Sequence, residues 1–337
     1  MNERQDTSAA PSRQRLIVVV GAGRSGTSAL TRGIGALGVE LGDRLKAGTK
    51  KNAKGFFEDQ DFIDINYRLR DAFGIKRSGA GVSIVPPERF EQPDVRPIHD
   101  AAVSLIRERF AHADPWGFKA GGVLSFLPFW QRVFEATGQQ PHYVLALRNP
   151  LSVARSRSKV SLRRGIQENS DLEFLARVVP YFARAARHPL AVVDYDRLML
   201  DAKGELMRVA RELSLPVTPK VEAGVDRYAG EFLSKDLRHH SFDADDLRTH
   251  PRLNPLARDA YLALYRLASG EATLESDAFK AEWARIERTH ADLAPVLRHI
   301  DSLEAELRRQ RKGVVGALVV ARDYLRKRRR DDAGAAD

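Results

Sequence analysis

Residues 21–28 read Gly-Ala-Gly-Arg-Ser-Gly-Thr-Ser, a composition suited to holding an anion. Gly21, Gly23 and Gly26 let the backbone turn tightly and approach a ligand. Ser25, Thr27 and Ser28 supply hydroxyl donors, and Arg24 a permanent cation. A loop of this kind opening a helix aims successive N–H groups inward, and the helix terminus adds positive potential. A second constellation is Arg148-Asn149-Pro150, followed by Ser156. Arg148 offers a planar fork for phosphate oxygens and Ser156 a hydroxyl. Asn149 is placed as an N-cap and Pro150 as the first residue of a helix. Ser156 lies about two turns along that helix, so the two converge only if the strand end folds back beside the helix flank.

The elements that must position these residues follow from periodicity. Leu16–Val20 is an apolar, β-branched run suited to a buried parallel strand. Leu30, Ile34 and Leu37 fall at helical spacing behind the glycine loop, and Gly38 and Gly42 punctuate the helix end. Trp116–Lys119, Tyr143–Leu147 and Leu190–Val193 read as further strands, the last ending at Asp194-Tyr195-Asp196. Leu124–Phe134 is an apolar segment, and Leu172–Ala186 and Lys203–Leu213 read as helices. Strand–loop–helix units in succession predict an α/β fold. After about residue 240 the strand signals stop, and Leu256–Leu267 and Lys280–Leu307 are charged and helical.

Two familiar nucleotide motifs fit the first loop only in part. The pattern G-x-x-x-x-G-K-[ST] finds Gly21, Gly26 and Ser28 in place, but Thr27 stands where the lysine should be. That lysine supports the β/γ-phosphates of a nucleoside triphosphate, so its absence argues against triphosphate hydrolysis. The only cation in the loop is Arg24, and no convincing apolar strand ends in a magnesium-binding Asp. The dinucleotide pattern G-x-G-x-x-G is matched by Gly21, Gly23 and Gly26, but the acidic residue ending a second strand is missing. Glu40 has the right distance but sits in a glycine-flanked helix exit.

Gly-Arg-Ser-Gly-Thr-Ser behind a buried strand resembles the 5'-phosphosulfate loop of sulfotransferases that use 3'-phosphoadenylyl sulfate (PAPS). An Arg ending a strand, then Asn-Pro, then Ser156, resembles their 3'-phosphate motif. The resemblance covers roughly residues 16–215 and implies a P-loop-like three-layer α/β/α fold with a central parallel sheet. It places Gly23, Arg24, Ser25, Gly26, Thr27 and Ser28 around the 5'-phosphate end of PAPS, with Arg24 near the transferring sulfuryl. It assigns Arg148 and Ser156 to the 3'-phosphate. Asn52-Ala53-Lys54-Gly55-Phe56-Phe57-Glu58-Asp59 resembles the segment behind the first helix in bacterial members, and Asp194-Tyr195-Asp196-Arg197-Leu198 their turn near the adenine.

The resemblance puts Glu58 beside the sulfuryl end, where a carboxylate flanked by Phe56 and Phe57 suits a general base. Lys119 is the second candidate contributor, as a cation. The competing role for Glu58 and Asp59 is to cap the helix starting near Asp61, or to pair with Lys54. Lys119-Ala120-Gly121-Gly122 departs from the Lys-Asp-Pro-Arg of many bacterial members, so no role of the lost Asp-Pro-Arg carries over. Arg311-Lys312-Gly313-Val314-Val315-Gly316 echoes a C-terminal cofactor motif, but the Asp-Trp-Lys that follows in the family is absent.

The expected organisation is a flexible stretch 1–15, a PAPS-binding domain over 16–240, and a helical, basic extension over 241–337. With 43% apolar residues the chain can build a real core, and without cysteine it has no disulfide, thiol nucleophile or thiolate metal site. No metal is expected. A net charge of +10 points to anionic partners. Aromatic–basic interleaving for stacking bases is missing, which counts against nucleic acid. Residues 1–15 lack a signal-peptide core and no apolar run is long enough to span a bilayer, so the expected location is the cytoplasm. For Arg308–Arg330 two readings stand: an amphipathic helix in peripheral contact with a membrane or partner, and a solvated terminal helix. The function expected is sulfuryl transfer from PAPS to a hydroxyl or amine of a glycan, lipid or small molecule, releasing PAP (adenosine 3',5'-bisphosphate). A P-loop kinase-like enzyme and a non-enzymatic anion-binding module remain as alternatives.

Overall fold

The computed structural model describes residues 14–48, 55–75, 84–233, 242, 244–307, 309, 310, 313 and 318. Strand β1 (Arg15–Gly21) leads into α1 (Thr27–Ala36), α2 (Gln60–Ala72) and α3 (Arg96–Arg109) before β2 (Trp116–Phe118). Helix α4 (Leu127–Ala136) returns the chain to β3 (Gln140–Leu147). Helices α5 (Pro150–Ser158) and α6 (Gln167–Ala185) precede β4 (Leu190–Asp194). Helices α7 (Tyr195–Leu200), α8 (Ala202–Glu212), α9 (Pro219–Arg227), α10 (Ala244–Thr249), α11 (Pro255–Ser269) and α12 (Asp277–Asp292) complete the order, and residues 294–307 are helical.

The strands form one parallel sheet in the order β2-β1-β3-β4. Side chains alternate between its faces as a strand requires. Leu16, Val18, Val20, Tyr143, Leu145 and Leu147 face a core built with α2, α3, α4 and α6. Ile17, Val19, Val144 and Ala146 face a smaller core with α1, α8 and α9. The fold is therefore the expected three-layer α/β/α arrangement. Adjacent strands β1 and β3 send their helices to opposite faces: Leu30 and Ile34 of α1 join the smaller core, Leu151 of α5 the larger. In open parallel sheets such a switch point opens a crevice at the carboxyl ends of the strands, where ligands bind.

The helical region behind residue 240 is not a separate layer. Leu256, Ala260, Tyr261 and Leu264 of α11 and Phe279, Trp283 and Ile286 of α12 belong to the larger core, and Phe182 of α6 packs 4.4 Å from the Trp283 ring. Asn254 caps α11 by accepting from the Leu256 and Ala257 amides, and its own N–H donates to buried Asp171 at 2.9 Å. Asn254→Ala should cost about 1 kcal/mol in denaturant unfolding. A loss confined to the last helices, with the sheet unaffected, would show that α11 is not part of the cooperative core.

The periodicity of Lys280–Leu307 is interrupted once: α12 ends at Asp292, and residue 293 forms a turn before the next helical run. Among the described residues no helix is long and apolar enough to cross a membrane. Residues 1–13, Asn52, Lys54, Arg311, Lys312 and nearly all of 308–330 lie outside the described residues, and with them the expectations made there.

Candidate functional site

All four strands end at the same edge, and each delivers a candidate residue there. The loop behind β1 places Arg24 in the left-handed region (φ 76°), beside Gly26 at φ 90°. Gly26 is the N-cap of α1, has no side chain to cap with, and no acidic residue follows in the first turn. A helix terminus of this kind is suited to an external anion. Two of the glycines are demanded by space. A Cβ on Gly21 would lie 2.7 Å from the Ala146 carbonyl oxygen, and one on Gly26 2.2 Å from the Tyr195 ring. Gly23 has no such neighbour. Ser25 is buried and donates to the Ala22 carbonyl at 2.7 Å, closing the turn.

The two sequence constellations meet on Arg24. Its Nε donates to Ser156 Oγ at 3.1 Å, and its carbonyl accepts from Arg148 Nη1 at 3.3 Å. The strand end and the helix flank therefore do fold together. The Arg148 guanidinium carbon lies over the Tyr195 ring, 4.2 Å from its centroid, so Tyr195 supports both Gly26 and Arg148. Burial lowers the Arg148 pKa. Its Nε is buried without a hydrogen-bond partner, a cost that an anionic ligand would remove.

Glu58 reaches the site through backbone pairing. The amide of Lys46 donates to the Glu58 carbonyl at 2.7 Å, Gln60 N–H to Arg44, and Asp59 N–H to the Lys119 carbonyl. Glu58 Oε1 lies 3.6 Å from Lys119 Nζ, and Oε2 4.0 Å from Lys46 Nζ. The carboxylate is thus bracketed by ammonium groups as well as by aromatic neighbours. Asp59 carries the capping role: it accepts from the Asp61 amide and pairs with Arg109 at 2.8 Å. Glu58 is left for the cleft, and Lys54 lies outside the described residues.

Lys119, just past β2, is buried and donates to Ser28 Oγ at 3.0 Å and to the Phe56 carbonyl at 2.7 Å. Burial pushes its ammonium below the usual lysine range, while Glu58 pulls the other way. A lysine just past a different strand thus touches a hydroxyl in the first turn of α1, although the loop itself has Thr27 at the lysine position. Glu40 pairs beside Trp116 at the start of β2, at the opposite edge of the sheet. Asp194 ends the apolar strand β4, as the sequence indicated. Its oxygens cap α7 and accept from Tyr261, and burial raises its pKa to about 6.

Sequence reasoning missed a buried layer beneath the loop. Arg157 donates through Nη2 to the Gly23 carbonyl at 2.9 Å and through Nη1 to Glu173 at 2.8 Å. Burial lowers its pKa to about 10. Its partners lie far away in the chain, so the only local signal was its place beside Ser156. In front of the loop a cleft of about 90 Å³ is lined by Gly21, Gly23, Thr27, Glu58, Lys119 and Arg177, among others.

The fold and site define a three-layer α/β protein with a glycine-rich loop at the switch point of a parallel sheet. No protein-family model matches the chain, and no curated protein matches it. Among solved structures it is similar to the sulfotransferase domain of the Synechococcus PCC 7002 olefin synthase, with 16% identity and a TM-score of 0.38 over 83% of this chain and 95% of that one. It is also similar to sulfotransferase STF1 from Mycobacterium tuberculosis H37Rv, with 15% identity and a TM-score of 0.42 over 77% of each chain. Sulfotransferase STF9 from Mycobacterium avium aligns with 15% identity and a TM-score of 0.39 over 76% of this chain and 77% of that one.

Proposed function

We propose that this protein is a sulfotransferase that takes its sulfuryl group from PAPS and gives it to an acceptor hydroxyl or amine. The observation that carries the reading is the junction on Arg24, where Ser156 and Arg148 meet the glycine loop. It agrees with a ligand bearing two phosphate groups, one at the α1 terminus and one between Arg148 and Ser156. The uncapped helix, the unpartnered Arg148 Nε and the glycines packed against Ala146 and Tyr195 fit such a ligand.

When bound, PAPS supplies an activated sulfuryl group whose leaving group is a phosphate oxygen. Transfer to a hydroxyl forms one acceptor O–S bond and breaks the S–O bond to that phosphate, which keeps the electron pair and leaves as PAP. In our reading Glu58 takes the acceptor's proton. Arg24, Lys119 and the loop amides answer the negative charge that builds on the leaving oxygen. Lys119 sits on Ser28 Oγ, the position where P-loop hydrolases bind magnesium through a Ser/Thr hydroxyl. This favours donor binding that does not need a divalent ion.

Calorimetry tests the reading. PAP should bind at least about tenfold more tightly than ATP, with the same affinity in EDTA as in magnesium. ATP binding that requires magnesium, with no PAP binding, would return the protein to the kinase-like alternative.

A further inference from the structure

One feature of the cleft is not used by the donor or by proton transfer. Glu173 on α6 is buried and is ringed by guanidinium groups. Arg157 Nη1 lies 2.8 Å from Oε2, Arg164 Nη2 2.9 Å from Oε1, and Arg177 Nη1 3.2 Å from Oε1. Arg70, in the last turn of α2, feels the charges of Arg177 and Glu173, and its Nε is buried without a hydrogen-bond partner. Burial, and then the charge of nearby Arg177, lower the Arg70 pKa. Three guanidinium groups on one carboxylate, with Arg70 nearby, leave a local surplus of positive charge.

The members of this cluster point to different places. Arg157 turns to the back of the glycine loop through the Gly23 carbonyl. Arg164 is largely open to solvent. Arg177 has the longest contact with Glu173 and is the one that lines the cleft, together with Glu58, Lys119 and the turn Gly121–Ser125. That turn is held rigidly: Asn66 Nδ2 donates to the Gly121 carbonyl at 3.2 Å, and Trp130 Nε1 to Asn66 Oδ1 at 2.9 Å. A Cβ on Gly121 would stand 3.7 Å from Glu58 Oε1, so the turn runs beside the carboxylate. The cleft therefore holds Glu58, bracketed by Lys119 and Lys46, and Arg177, whose one carboxylate partner among the described residues is shared with two other arginines. A partly buried guanidinium in that setting has donors to spare for a carboxylate, sulfate or phosphate.

We propose that the acceptor carries an anionic group of this kind and that Arg177 binds it, so that the reacting hydroxyl or amine faces Glu58. This deepens the sulfotransferase reading and rests on it. The surplus charge then has a function: it selects acidic acceptors over neutral ones of the same shape.

The test uses full-length protein saturated with PAP and two matched pairs of probes, 4-hydroxyphenylacetate against its amide and methyl glucuronide against methyl glucoside. Binding is followed by ligand-observed NMR titration. The acidic member of at least one pair should bind about tenfold or more tightly than its neutral partner. Arg177→Gln should erase that preference while leaving PAP affinity within about twofold. Arg164→Gln, which touches the same carboxylate from outside the cleft, should keep the preference. The proposal is overturned if acidic and neutral probes bind alike, if no acidic probe binds, or if the preference survives Arg177→Gln. It is also overturned if Arg177→Gln weakens PAP, because the surplus charge then belongs to the donor. Failure of the wild-type protein to bind PAP removes the sulfotransferase reading itself, a result distinct from each of these.

Discussion

Glu58→Gln should lower turnover by about 10²-fold or more while leaving PAP affinity close to that of the wild type. The substitution keeps the volume and an oxygen able to accept from Lys119 Nζ, which lies 3.6 Å from the carboxylate. It removes only the capacity to hold the acceptor's proton. Steady-state rates with labelled PAPS, beside calorimetry with PAP, separate the two effects. Near-normal turnover would place the base elsewhere. Asp59 is an unsuitable substitute, because it is buried and its oxygens are engaged by Arg109 and the Asp61 amide. Lys119 would then be tested next. In its expected role as a cation, Lys119 should make turnover fall as pH rises through its own pKa. Burial depresses that value, so the alkaline loss should come at lower pH than for an ordinary lysine. Lys119→Met should lower turnover across the whole range and abolish that limb.

Arg148→Ala should weaken PAP binding by about 2 kcal/mol, or about 30-fold, through loss of a charge-assisted phosphate contact. Adenosine 5'-phosphosulfate, which has no 3'-phosphate, should lose much less. The guanidinium is held in place before any ligand arrives, lying over the Tyr195 ring and bonded to the Arg24 carbonyl. Its affinity contribution is therefore not reduced by ordering a free side chain. Equal losses for the two ligands would mean that Arg148 acts by shaping the loop around Arg24. Arg148→Lys separates these possibilities further, since it restores charge without the planar fork.

Local chemistry made part of this molecule legible. A five-residue β-branched run, a glycine-rich turn and a helical stripe reveal β1, its loop and α1, because each signal is complete within a few residues. Asn149 and Pro150 announce α5 in the same way, and the structure has Asn149 accepting from the Leu151 amide. The direction of the site was legible too, since phosphate-type side chains were written at strand ends.

Other features depend on partners distant in sequence. An apolar stripe states that a helix is covered but not by what, so α11 and α12 read as an extension although they complete the larger core. Lys119 showed its cationic character but not its place on Ser28, which follows from β2 lying next to β1 in the sheet. The cluster around Glu173 joins residues from α5, α6 and the turn between them, and arginines in this basic chain look alike until burial selects some of them. Residues close together in the chain were enough to show the glycine-rich loop, its flanking strand and helix, and the side chains we assign to two phosphates. Tertiary structure alone decided that those residues meet on Arg24, that Glu58 faces Lys119 rather than capping a helix, and that Arg177 lines the cleft. The physical reason is that backbone preferences and periodicity act over a few residues, whereas charge pairing and burial are set by the strand order that brings distant segments together.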